Sequence, residues 1–297
     1  MKLATTTSDF AKNTADQVDA LAYIAEAGFK YVDYNFDVDY EEKRGFFGNA
    51  PEEHLARIKE KASELGLKFV QAHSQMGAPI AEDNADFIEA TKRCIAMSKE
   101  LEIPNIVVHS GYRKGLTKEE CFAENKKFFL DILEYADTLG VNVLVENFNK
   151  MSIEGLYWID NAHDLLDFIR FVDHPRLHAV WDVGHGNMQE LSQYDAVKIL
   201  GDELYALHVQ DNDKDDDLHM FPLLGTANID ALMHGLIEIG YKGYFTFESS
   251  RVFFPKKREF SADSRLEKPS LDVKRKAEAL LYEIGKFILS SYDCFEE

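Results

Sequence analysis

His73, His109, Glu146, Asp182, His208 and Glu248 each close a short apolar run: Lys68–His73, Asn105–His109, Asn142–Glu146, Leu177–Asp182, Leu204–His208 and 244–248. An apolar run gains nothing from a terminal ionisable group, because an unpaired charge is costly to desolvate. Six such endings argue that the run ends converge on one site. Carboxylate oxygens combined with imidazole nitrogens suit a divalent cation such as Mn²⁺, Mg²⁺, Co²⁺ or Zn²⁺, and disfavour iron–sulfur or copper(I) chemistry. Glu146, Asp182, His208 and Glu248 come from four successive runs and form the core candidate set of metal ligands. A second tier surrounds them. His185 follows Asp182 within one turn, and Asp217 and His219 share a side of an extended segment because they are two residues apart. His73, His109, Asp217 and His219 are therefore additional candidates for metal or substrate binding, or for orienting other ligands.

The runs that must position these groups begin near Lys2, Lys30, Lys68, Asn105, Asn142, Leu177, Leu204 and Gly243, a spacing of 27 to 39 residues. Between and after them lie amphipathic helical patterns over 16–27, 52–65, 85–101, 118–139, 162–171, 194–200, 229–239 and 271–289. Several end at a glycine suited to a left-handed cap. Strands apolar on both faces that alternate with helices predict a parallel sheet. Eight such units fit a closed (β/α)8 TIM barrel, one domain spanning 1–297, whose strand C-termini meet at the face where such barrels carry their sites. No glycine-rich phosphate turn follows the first strand, which argues against an open doubly wound sheet.

Two connections, 34–51 and 249–269, are long enough to act as lids or binding loops. The second carries Arg251, Lys256, Lys257 and Arg258, a candidate phosphate-binding set. His54, His163, His174, His178 and His234 sit on helices, connections or strand starts and read as structural.

Composition bounds the partners. The 297 residues, 45% hydrophobic and 12% aromatic, suffice for a large core. With 33 basic against 53 acidic residues the net charge is −20, a field that opposes a nucleic-acid partner and favours a small ligand. Three scattered cysteines offer no disulfide framework or cysteine zinc site. No apolar run approaches a membrane span, and none near the start has signal-peptide length, so a cytoplasmic location is expected. A homo-oligomer is compatible with the sequence.

Glu146-Asn147, Asp182-x-x-His185, His208-x-x-Asp211, Asp217-x-His219 and Glu248 together resemble, over nearly the whole chain and in order, the xylose isomerase-like barrel superfamily of sugar isomerases, ketose epimerases and endonuclease IV. The resemblance implies a divalent metal held by Glu146, Asp182, His208 and Glu248, as in the ketose 3-epimerases. It implies a sugar or sugar phosphate as substrate, with Glu146 and Glu248 moving protons on its opposite faces through a metal-stabilised ene-diolate. His185 would orient a substrate oxygen or stabilise developing charge. Those epimerases usually carry an Arg shortly after the strand-seven His, whereas here no Arg occurs between Arg176 and Arg251. The nine residues His73, His109, Glu146, Asp182, His185, His208, Asp217, His219 and Glu248 resemble the three-zinc ligand set of endonuclease IV. A multi-zinc phosphodiesterase is thus the alternative expectation, and a dehydratase of the same superfamily is another.

Overall fold

The computed structural model describes residues 1–149, 157, 159–251 and 269–297. Its strands are β1 Lys2–Thr6, β2 Tyr31–Asn35, β3 Lys68–His73, β4 Asn105–His109, β5 Asn142–Glu146, β6 Leu177–Asp182, β7 Leu204–His208 and β8 Tyr244–Phe247. All eight are parallel and lie in the order β7-β6-β5-β4-β3-β2-β1-β8. The last gap is bridged just beyond β7. There the Val209 N–H donates to the Thr246 carbonyl at 2.7 Å and the Glu248 N–H donates to the Val209 carbonyl at 3.1 Å. This is the (β/α)8 barrel that the alternation of runs and helical patterns predicts.

The described helices are α1 Gln17–Ala27, α2 Phe36–Glu41, α3 Pro51–Leu65, α4 Ala85–Glu100, α5 Lys118–Leu139, α6 Ala162–Val172, α7 Val183–Asn187, α8 Gln193–Leu200, α9 Ile229–Glu238 and α10 Leu271–Ser291. Local chemistry sets their ends. Thr117 and Glu120 form a reciprocal capping box at the start of α5. Gly66 and Gly140 close α3 and α5 with φ of 66° and 72°, a left-handed conformation that costs glycine least. The helices pack a belt of aromatic and aliphatic side chains onto the outer strand faces; Phe129 and Phe168, for example, meet edge-on with centroids 5.4 Å apart.

Inside the barrel the alternation of strand side chains decides what each strand offers. Val107, Leu144, Val180 and Ala206 form a buried cluster of their own, separate from the outer belt that holds Ile106 and Val108. Two residues further along each of these strands stand His109, Glu146, Asp182 and His208. The ligand-type residues therefore share the inward face, one layer above an apolar floor. On the other side of the barrel the same layer is polar, with Asp33, Gln71 and Thr246 all buried.

The 34–51 connection departs from the expected lid or loop. It folds into α2 and a short 3-10 turn, Gly45–Phe47, around the buried carboxylate of Asp39. The Tyr34 hydroxyl donates to Asp39 Oδ2 at 2.7 Å and lies 2.9 Å from His54 Nε2, while the Phe46 N–H donates to the same Asp39 oxygen at 3.2 Å. A buried carboxylate must find donors, and satisfying it orders the segment. His54 is thus structural, as its sequence context suggests.

Candidate metal centre

Among the described residues, three groups of ligand-type side chains meet at the C-terminal rim of the strands, and within each group one donor atom per residue lies within 4.8 Å of the others. The central group is Glu146, Asp182, His208 and Glu248. His208 Nδ1 is 3.1 Å from Glu146 Oε1 and 3.5 Å from Glu248 Oε2. A second group joins His73, His109 and Glu146. The two Nε2 atoms are 3.1 Å apart, and Glu146 Oε2 is 2.9 Å from that of His109. Glu146 therefore serves both groups, one oxygen to each. The third group is His185, Asp217 and His219, in which both imidazole Nε2 atoms are 3.3 Å from Asp217 Oδ2.

Backbone acceptors orient three of these histidines. His73, His185 and His219 donate Nδ1–H to the carbonyls of Ser74, Asn147 and Glu248 at 2.7, 2.9 and 2.9 Å. Their Nε2 atoms are thereby turned into the groups. His219 reaches its place from a φ of 46°, unusual for a side chain of its size and typical of backbone held under constraint at a site.

Polar neighbours fix the carboxylates. Asp182 caps α7, accepting the His185 N–H at 2.6 Å. Asn147 accepts the Asp182 N–H at 2.8 Å and donates to its carbonyl at 3.0 Å. Gln210 donates through one nitrogen to Asp182 Oδ1 at 3.2 Å and Asp217 Oδ1 at 2.9 Å, tying the central group to the third. Asn149 adds a donor to Asp217 Oδ2 at 3.2 Å. Sequence reasoning did not single out Gln210, Asn149, Asp33 or Gln71. A polar residue on the inward face two positions before or after a ligand is the signal that could have found two of them, Gln71 and Gln210.

Asp211, part of the motif around β7, lies outside the groups. Fully buried, it accepts the N–H groups of Asn212, Gly225 and Ala227 at 2.8, 2.9 and 2.9 Å and so frames the loop that presents Asp217 and His219. Arg251 is exposed, and its backbone N–H donates to the His219 carbonyl at 3.0 Å. Lys256, Lys257 and Arg258 lie outside the described residues.

The charge pattern suits a cation. Burial pushes the Asp182 carboxyl up to about 7, with Glu146 and Glu248 adding to the effect against His185. Against the cost of burial, His208 and His109 hold Glu146 well below the usual carboxylate range. Also against burial, Glu146 raises His73 to about 9 and Asp217 raises His219 to about 10. His109 is lowered, mainly by burial. Asp182, fully buried and a member of the central group, has one oxygen, Oδ2, with no hydrogen-bond partner among the described residues. An orphaned oxygen on a carboxylate grouped with an imidazole and two further carboxylates fits a divalent cation of the kind that takes mixed N/O ligands.

The sequence pattern of the xylose isomerase-like TIM barrel family matches residues 21–267. Fructoselysine 3-epimerase of Shigella flexneri is 26% identical over 178 residues, which are 59% of this chain and 62% of that protein, so the match spans less than two thirds of the relative. Among solved structures, 3-keto-D-glucoside 4-epimerase from E. coli superposes with a TM-score of 0.71 at 18% identity, covering 95% of this chain and 99% of that one. An AP endonuclease, family 2, from Brucella melitensis superposes with a TM-score of 0.68 at 17% identity, covering 84% and 93%. An epimerase and an endonuclease share this barrel, so the fold leaves the chemistry to the site.

Proposed function

Because this chain belongs to the xylose isomerase-like TIM barrel family, we propose that it is a divalent-metal-dependent isomerase or epimerase of a sugar or sugar phosphate. The observation that carries the reading is the central group: Glu146 at the end of β5 and Glu248 just beyond β8 both approach His208, and Asp182 of the same group has an oxygen with no hydrogen-bond partner among the described residues. Glu146, Asp182, His208 and Glu248 would hold the cation. When bound, it supplies a Lewis acid that lowers the cost of negative charge on the substrate oxygens.

The protein's own residues handle the protons. A general base must lie within hydrogen-bond reach of the carbon it deprotonates and keeps that proton, while a second, protonated carboxyl on the opposite face gives its own proton to the carbon and inverts the configuration. Carboxylates carried by β5 and by the end of β8 can flank a sugar in this way. The Glu248 side chain is 16% exposed against 2% for Glu146, so Glu248 offers substrate the more open carboxylate. In this reading His185, held by Asn147 and Asp217, would orient a substrate oxygen or stabilise developing charge. The relatives that act on sugars support this class, as does a net charge of −20, which opposes a polyanion.

The two flanking groups favour a second reading, a multi-metal phosphodiesterase. Two measurements separate the readings. Elemental analysis of the loaded protein is expected to give about one metal per chain for the isomerase, whereas about three zinc ions would support the phosphodiesterase. Incubation of the Mn²⁺-loaded protein with a panel of ketoses and their phosphates in D₂O is expected to place deuterium beside the carbonyl of at least one. No uptake across the panel overturns the isomerase reading.

A further inference from the structure

His208 is held differently from the other oriented histidines of the site. His73, His185 and His219 each donate Nδ1–H to a backbone carbonyl and turn Nε2 into their group. His208 is reversed: Nδ1 faces Glu146 and Glu248, and Nε2–H donates to Asp33 Oδ2 at 3.2 Å. Asp33 comes from β2, on the far side of the barrel interior, and its side chain is fully enclosed. A buried carboxylate at this depth is expensive unless its partners are well placed.

The strands direct two donors at Asp33 Oδ2, while Oδ1 has no hydrogen-bond partner among the described residues. Between β2 and β3 the register slips after Val32, which pairs with Phe69, so that Asp33 pairs with Gln71 and Val70 is the extra residue. A bulge of this kind re-aims side chains. Here it sets Gln71 beside Asp33, and Gln71 Nε2 donates to the same Oδ2 at 2.9 Å. The Thr246 hydroxyl donates to Gln71 Oε1 at 3.3 Å, which fixes which end of the Gln71 amide points at Asp33. The chain Thr246, Gln71, Asp33, His208 crosses the barrel floor opposite the apolar cluster of Val107, Leu144, Val180 and Ala206.

We propose that Asp33, aligned by Gln71 and Thr246, is the positioning residue that fixes the ring of His208 and leaves its Nδ1 free for the central group. This rests on the reading of that group as a metal site. A carboxylate hydrogen-bonded to the remote nitrogen of a ligand histidine sets its tautomer and raises its basicity. Asp33 touches neither substrate nor cation. It acts through His208.

Mn²⁺ titration of the full chain, with the thermal midpoint of the metal-free protein measured in parallel, tests the idea. Asp33→Leu keeps much of the volume and removes the acceptor, and is expected to weaken Mn²⁺ binding about 10–100-fold. Asp33→Asn still offers one oxygen to both donors, and its affinity is expected to fall between Asp33→Leu and wild type. If Asp33→Leu does not fold, Asp33→Asn decides alone. A purely structural Asp33 would lower the metal-free midpoint while leaving Mn²⁺ affinity at the wild-type value, and that result overturns the proposal. Long-range ¹H–¹⁵N spectra of the Zn²⁺-loaded wild type should show His208 protonated at Nε2; ligation through Nε2 overturns it as well. A wild-type chain that binds neither Mn²⁺ nor Zn²⁺ overturns the metal-dependent function itself. Wild-type binding with unchanged variants overturns the role of Asp33 alone.

Discussion

Glu146 and Glu248 occupy unequal positions. Glu146 commits one oxygen to His208 and the other to His109, whereas Glu248 has His208 and His219 at 3.5 and 3.9 Å and a more open face. Replacing Glu248 by Gln keeps the shape and removes a proton-transfer group. The Glu248→Gln variant is therefore expected to lower deuterium exchange into substrate by about 10²–10⁴-fold. Isotope-exchange NMR at saturating metal checks this, and a variant that exchanges at the wild-type rate would exclude Glu248 as the base. Glu146→Gln should act more broadly, because both the central group and the group of His73 and His109 lose a charged oxygen. Metal titration of the two variants is expected to show the larger loss of affinity for Glu146→Gln.

At the level of elements, the site depends on how short segments seat one another. Helix α7 begins on Asp182, and its second residue, Gly184, packs directly against the Gln210 carboxamide; a Cβ there would collide with it. Glycine lets α7 come close enough for Gln210 to clamp Asp182 and Asp217 together. Gly184→Ala is expected to push Gln210 off these carboxylates, costing about 1–3 kcal/mol in denaturant melts and weakening Mn²⁺ binding as well. Wild-type values for both would mean that Gln210 does not organise the site. The bulges serve the same end. Between β6 and β7 the register shifts after Ala179, and this shift is what pairs Asp182 with His208.

On the scale of the whole molecule, the site concentrates buried charge that the fold must accommodate. His73, at about 9, and His219, at about 10, are protonated more readily in the folded chain than at the ordinary value of 6.5. Groups raised in this way contribute stability that is complete below the unfolded pKa and lost as pH rises through the folded one. The metal-free protein is therefore expected to lose thermal stability from about pH 6.5 to about pH 10. A cation bound by the proposed central group would add stability of its own, about 2.7 kcal/mol at a hundredfold excess over Kd, so the loaded protein should melt higher at neutral pH. Scanning calorimetry with and without EDTA checks both. A metal-free midpoint that rises with pH across this range would contradict the charge assignment.

The sequence by itself determined the barrel and the residue types at its rim. Strand alternation is a local property, so Val107 and His109, or Leu144 and Glu146, must share a face wherever the strand lies. Caps and glycines likewise mark helix ends without reference to the rest of the chain. Tertiary structure decided which groups meet. The bond from Asp33 to His208 spans 175 positions, and so does the one from Gln71 to Thr246. These contacts depend on barrel closure and on register slips that no local pattern records. The same holds for the two-sided use of Glu146, the choice of ring nitrogen at each histidine, and the ordering of 34–51 around Asp39. Periodicity fixes the face a side chain points to, but only closure of the barrel fixes what it finds there.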